Sequence, residues 1–313
     1  MAAGPGFVPA AARTAEAVLA RPPRTLWADA WRQFRRHRLA MFGLIVLAFM
    51  VVATVFGPIV YPVKFNEIDM TQRLKPPSLA HPLGTDDLGQ DILARILFGG
   101  RVSIAVGLAA MFIAVTIGTA VGALSGYFGG TVDQVLMRLT DLFIALPPLP
   151  LLLLVIYLFR DPVRNVFGPE LGIFLLMVTV IGSLRWMPVA RLVRASFLSI
   201  KEKEFIEAAR CVGVPGFRMV VVHMLPNALS PVIVAASLGV AAAILQESTL
   251  SFLGLGFPPD MPTWGRLLFD AKDRLDMAPH WAIFPGLAIF LTVLSINFIG
   301  DGLRDALDPR RVG

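Results

Sequence analysis

Six runs of about twenty mostly apolar residues constrain this chain more than any other feature: 39–60, 102–127, 134–158, 171–192, 229–250 and 281–302. At a rise of 1.5 Å per residue, about 20 helical residues cross a hydrocarbon layer about 30 Å thick. No water reaches backbone N–H and C=O groups inside that layer, so the spans must be helices that bond internally. Composition agrees, with 56% hydrophobic and 16% charged residues and a mean hydropathy of +0.71, where soluble domains carry about 25% charged residues. The expected fold class is all-α, a polytopic membrane protein with six transmembrane helices. A soluble enzyme with a large buried core is excluded.

The formal charge of +6 does not point to nucleic acid, because the basic residues are spread along the chain beside apolar runs rather than gathered on one face. A single cysteine, Cys211, rules out an internal disulfide and any cysteine-rich metal site. His37, His81, His223 and His280 are too scattered to form a ligand cluster, so no metal site is expected, and no catalytic constellation is found. Residues 1–38 lack the short apolar core and small-residue cleavage site of a signal peptide. They read as a cytosolic tail. Within it, Trp27, Trp31 and Phe34 alternate with Arg32, Arg35, Arg36 and Arg38, a pattern that fits a short amphipathic helix on a membrane surface and equally a solvated tail.

Two spans carry packing signals. In "ALPPLPLLLL", Pro147, Pro148 and Pro150 must kink or break the third span, since each lacks an N–H and crowds the preceding turn. In the second span, Gly118, Gly122 and Gly126 repeat at four-residue spacing and make a flat stripe for close helix packing. Cytosolic segments retain positive charge on insertion. With the amino terminus inside, the inner segments hold 18 Lys and Arg residues and the outer ones ten, offset by eleven acids between Glu67 and Asp276. Both termini are expected in the cytosol. Ionisable groups at membrane depth are functional candidates because burying them is costly. Glu247, near the outer end of the fifth span, is one. Arg138 and Asp141, three apart on one helical face near the inner end of the third span beside Asp133, are others. They are candidates for the translocation path or gate, against the alternative of a local salt bridge.

The charged stretch "EFIEAARCVGVPGFRMVVVHMLPN" (204–227) interrupts this apolar pattern on the cytosolic side. Lys201 to Val212 reads as one helix with Phe205, Ala208, Ala209 and Val212 along one side. Gly213 ends it, because glycine enters a left-handed C-terminal cap without steric cost. Pro215 suits the first turn of a second helix running to about Leu225, before Pro226. Small Ala208 and Ala209 admit a close backbone, and Glu207 offers a charge to a basic partner. A docking knob and a loop folded on its own protein both fit this pattern.

Glu207, Ala208 and Ala209, then Gly213, then His223, Met224, Leu225 and Pro226 resemble the EAA motif of importer permeases of the ATP-binding cassette class. His223 stands where the general pattern has isoleucine, a departure similar to the dipeptide and oligopeptide branch. The stretches "HPLGTDDLGQDILARILFGGRVS", "GYFGGTVDQVLMRLTDLFIALP", "STLSFLGLGFPP" and "FPGLAIFLTVLSINFIGDGLRDALDPR" resemble the second permease subunit of that branch. The similarity covers about residues 30–313, and the first 25 residues have no counterpart.

The resemblance implies a type I importer permease fold and a multi-pass place in the bacterial inner membrane. It implies that Glu207, Ala208, Ala209 and Gly213 dock an ATPase, with Leu225 and Pro226 fixing the return into the membrane. The chain contains no Gly-Lys pair, hence no phosphate-cradling loop, so ATP and Mg are expected on two partner ATPase subunits. A homologous permease subunit in a heterodimer and an extracytoplasmic solute-binding protein are the other implied partners. Residues 61–101 and 251–280, with Asp86, Asp87 and Asp91, are the expected landing surface for that protein. Di- or oligopeptides are the implied cargo, with a nickel complex, glutathione or an oligosaccharide as alternatives. An ion-gradient-driven secondary transporter would show an internal repeat, and none is visible. The expected division is a tail (1–38), a first span with its outer loop (39–100), a five-span core (101–302) containing the coupling loop 195–227, and a cytosolic end (303–313).

Overall fold

The computed structural model describes residues 26–307, apart from the side chains of Leu26, Trp27 and Asp29. The expectations for residues 1–25, for Trp27 and for residues 308–313 therefore lie outside the described residues. Helix α1 (Leu26–Arg36) leads into α2 (Arg38–Val60) and, after an outer loop, α3 (Ile92–Phe128). Then follow α4 (Gly130–Ala145), α5 (Pro148–Phe167), α6 (Pro169–Ser183), α7 (Trp186–Lys201) and α8 (Glu204–Cys211). The chain closes with α9 (Gly216–Phe252), α10 (Trp264–Ala271) and α11 (Pro279–Leu307).

Helices α2, α3, α9 and α11 are each long and apolar enough to cross a membrane. The pairs α4 with α5 and α6 with α7 pass the same test together but bend by 87° and 41°. Counting each pair as one span gives six crossings. Gln33 Nε2 donates to the Asp305 carbonyl at 2.9 Å, and His37 Nε2 lies 3.9 Å from Asp305 Oδ2. The two ends of the described chain therefore meet at one end of the bundle, which requires an even number of crossings. Phe34, 4% exposed, seats α1 there against Ala40 and Ala306.

The break expected in the third span falls at Leu146–Pro147, and Pro148 and Pro150 occupy the first turn of α5, where a missing N–H is harmless. The fourth span differs from expectation. It is not one helix ending near 192 but two, interrupted at Leu184–Arg185 and continuing to Lys201. Leu184 and Arg185 donate to the carbonyls of Ile181 and Gly182 at 3.3 and 3.2 Å, three residues back, which tightens the last turn of α6. Pro188 is the cause: its ring crowds the carbonyl four residues earlier, that of Leu184. The two breaks lie side by side, the rings of Phe143 and Trp186 meeting edge to face at 6.1 Å.

The glycine stripe of α3 lies against α7. A Cβ on Gly118 would sit 2.6 Å from the Trp186 carbonyl, one on Gly122 2.7 Å from Val193 Cβ, and one on Gly126 2.6 Å from Phe197 Cβ. Only glycine lets these two helices touch backbone to side chain along three turns. One apolar cluster, with Val106, Leu152, Ile156, Met177, Ile181 and Phe257, joins α3, α5 and α6 to the outer loop. A second, with Val193, Phe197, Ile206, Met219, Met224 and Ala228, joins α7, α8 and the first turns of α9.

Candidate coupling site

Lys201 ends α7, its Nζ donating to the Tyr127 carbonyl at 2.9 Å. The single helix expected over Lys201–Val212 is instead interrupted at Glu202–Lys203, and α8 restarts at Glu204 with Glu204 and Glu207 in its first turn, where carboxylates favour the helix dipole. Ile206, fully buried, and half-buried Ala209 face the cytosolic cluster. Phe205 (46% exposed), Glu207, Ala208 and Val212 (85% exposed) face out. Gly213, at φ +81°, donates to the Arg210 carbonyl at 2.9 Å, and Val214 donates to that of Ala209 at 3.1 Å. These two hydrogen bonds close the helix around a left-handed residue. Nothing lies within 4 Å of a Cβ built on Gly213, so conformation and not space selects glycine.

The second arm also departs from expectation, since it does not stop at Leu225 but runs through Pro226 and Pro231 into the membrane as α9. Residues Met219–Met224 are wound as a π-helix, and the Leu225 N–H reaches back to Val220. A π-turn absorbs an extra residue, and it sits next to the proline whose N–H the ladder lacks. Leu225 is half-buried and Pro226 exposed. Phe217, 82% exposed, stands across the loop from Val212. The hairpin thus offers an apolar, acid-tipped surface while its inner face is fixed to α7 and α9.

The other carboxylates lie elsewhere. Glu247 is fully buried inside the chain, accepting from Ser103 at 3.0 Å and Ser251 at 2.7 Å. Ser103 Oγ in turn accepts the Trp264 N–H at 3.3 Å, so Glu247 ties α3, α9 and the outer loop together. Replacing it with glutamine should leave thermal stability in detergent near that of the parent. Leucine would strand the buried hydroxyls at about 1–3 kcal/mol each and should lower the melting temperature clearly. Asp141 pairs with Arg191 of α7 at 2.5 Å, both largely exposed, and not with Arg138, which is exposed. Asp133 binds Arg194 through both oxygens, at 2.5 and 2.6 Å. These pairs pin α4 to α7.

The two outer segments form one platform. Arg95, 4% exposed, holds Asp86 at 2.6 Å and Asp270 at 3.6 Å, and Asp270 also pairs with Arg266 at 2.8 Å. Burial pushes the Asp86 and Asp270 carboxyls above the usual range, against the lowering effect of their arginines. Asp91 caps α3 through the Ala94 N–H at 2.8 Å and meets Tyr61 and His81 at 2.8 Å each; burial, and then that hydrogen bond, raise the Tyr61 hydroxyl well above the usual range. The expectation that Asp86, Asp87 and Asp91 meet a partner is thus corrected for Asp86 and Asp91, which are buried and satisfied within the chain. Asp87 remains at the surface, on a cavity of about 430 Å³ with Phe65, Arg266, Asp270 and Asp273.

Arg185 was not among the expected site residues. Counting positive charge assigns it to a cytosolic segment, yet it sits in the break of the fourth span, half-buried, with Nη1 donating to Gln246 Oε1 of α9 at 3.0 Å. Pro188 was the sequence signal that could have located it.

A bundle with two interrupted spans, a protruding hairpin on one side and a folded platform on the other is the architecture of a membrane-embedded transport subunit. The chain belongs to the family of binding-protein-dependent transport system inner membrane components, which matches residues 118–313, and residues 25–77 match the N-terminal TM domain of oligopeptide transport permease C. It is 42% identical over 289 residues to the oligopeptide transport system permease protein OppC of Haemophilus influenzae, covering 92% of this chain and 89% of that one. It is 38% identical to the dipeptide permease DppC of Alkalihalophilus pseudofirmus (91% and 90% covered) and 39% to the glutathione permease GsiD of Pectobacterium atrosepticum (92% of each). A solved MetNI methionine ABC transporter in an inward-facing conformation shares the fold, with a TM-score of 0.53 and 18% identity over 68% of this chain and 96% of that one. The chain is an ABC importer permease of the inner membrane.

Proposed function

We propose that this permease carries di- or oligopeptides and is driven through its hairpin by separate ATPase subunits that bind ATP and Mg. The observation that carries the reading is the outward face of the hairpin, where Glu207 and Ala208 of α8 lie with exposed Phe205, with Val212 just past the helix and with Phe217 at the start of α9. Apolar side chains so exposed on the wet side of a membrane protein mark an interface. Helix α7 extends from that hairpin for 16 residues, a lever of about 24 Å, and ends at the Leu184–Arg185 break. Because the glycine stripe locks α7 to α3, closure of the ATPases on ATP would tilt both as one body about that break. A homologous permease completes the path as a heterodimer, and a solute-binding protein lands on the outer platform. The peptide assignment is supported by the oligopeptide, dipeptide and glutathione permeases among the relatives.

Reconstitution with co-purified ATPases and binding protein tests the reading. Peptide uptake should require ATP inside the ATPase-facing compartment and persist when ionophores collapse all ion gradients. Uptake driven by a proton or sodium gradient without ATP would establish a secondary transporter instead.

A further inference from the structure

The Arg185 backbone lies deep in the apolar layer, and its guanidinium reaches outward from there. A Cβ on Gly182 would sit 2.7 Å from the Ala110 carbonyl and one on Gly118 2.6 Å from that of Trp186, so the backbone is level with residues 110–118, the middle of the apolar run 102–127, while the guanidinium meets Gln246, neighbour of Glu247, whose partner Ser103 stands at the start of that run. An arginine at that depth is costly and faces a bundle interior or a wet cavity, paired with something. Among the described residues the guanidinium's one hydrogen bond is to neutral Gln246, and no carboxylate lies within ion-pair distance of it. Glu247, next to Gln246, is turned away into Ser103 and Ser251. The guanidinium is half-buried and not sealed, and it stands where α6 gives way to α7, beside the second break that Phe143 marks against Trp186. Interrupted helices are tolerated at this depth where they are buried in protein or line a water-filled cavity.

We propose that Arg185 is a solute-binding residue of the translocation path and that its ligand is a carboxylate, that of a peptide C-terminus in transit. This rests on the peptide reading above. Guanidinium presents a planar fork that fits a carboxylate through two hydrogen bonds and keeps its charge at any physiological pH. Gln246 holds one Nη in place and leaves the other edge for the ligand. An acidic residue of the companion permease is the competing occupant, and it would make the charge structural.

The test compares ATP-driven uptake of a tripeptide and its C-terminal amide by the whole assembly in proteoliposomes, with both peptides first shown to bind the binding protein. The parent should move the free acid faster. Arg185→Gln should lower uptake of the acid by about tenfold or more and that of the amide far less, collapsing the ratio, while Arg185→Lys retains part of the preference. A variant that loses both substrates equally, or neither, overturns the proposal, the former in favour of structural pairing. If the parent moves neither peptide although ATP is hydrolysed, the peptide reading itself falls and takes this inference with it.

Discussion

Glu207→Lys should abolish peptide uptake while the chain still inserts, assembles its bundle and leaves ATP hydrolysis running without transport. Glu207 is exposed, and among the described residues its side chain makes no hydrogen bond or ion pair, so on the proposed docking the substitution acts at the ATPase interface. On the proposed docking against a basic ATPase surface, reversing the charge would turn attraction into repulsion, which costs several kcal/mol at an interface. Gly213→Pro should reach the same end by another route. The position requires φ +81° and an N–H that donates to Arg210, and proline supplies neither. The cap is lost, and α8 no longer holds its angle to α9. Insertion, ATPase rate and uptake, measured side by side, separate these outcomes. Normal uptake by both variants would remove the hairpin from the mechanism.

Arg95→Ala should produce the largest loss of stability. Its guanidinium is buried with two carboxylates, and removing one member of such a group leaves charge without compensation, at about 3–5 kcal/mol. Asp86 is fully buried and already raised by burial with Arg95 present; without Arg95 its carboxyl rises further. The folded variant then holds a proton that the unfolded chain, with a carboxyl near 3.9, has released. Stability of the variant should therefore fall as pH rises above that value and recover on acidification. Melting temperatures in detergent at pH 5 and pH 8 should show the recovery in Arg95→Ala, and a flat response would place Asp86 in contact with water.

What was legible in the sequence is what depends on short range. Pro147, Pro148 and Pro150 break a helix by local sterics, Gly213 ends one through its own dihedral angle, and the glycine stripe announces a close neighbour without naming it. Asp91 could have been recognised as a cap, because it stands immediately before Ile92 and the apolar run of α3. The pairing of Asp141 with Arg191 and of Glu247 with Ser103 spans 50 and 144 residues, and no local rule carries that far. Arg185 was misplaced for a different reason. Charge counting presumes that an arginine ending an apolar run has reached water, whereas Pro188 breaks the helix there and lets the chain continue inward for another turn after turn.

The level shared by the two breaks has a mechanical consequence. Helices α2, α3, α9 and α11 cross that level unbroken, and α3 alone carries Arg95 and Ser103 near its outer end and the glycine stripe near its inner end. Only the third and fourth spans can flex there, so a displacement entering at the hairpin is carried by the stiff rod of α3 straight to the outer platform, while α5 and α6 are free to lag behind it.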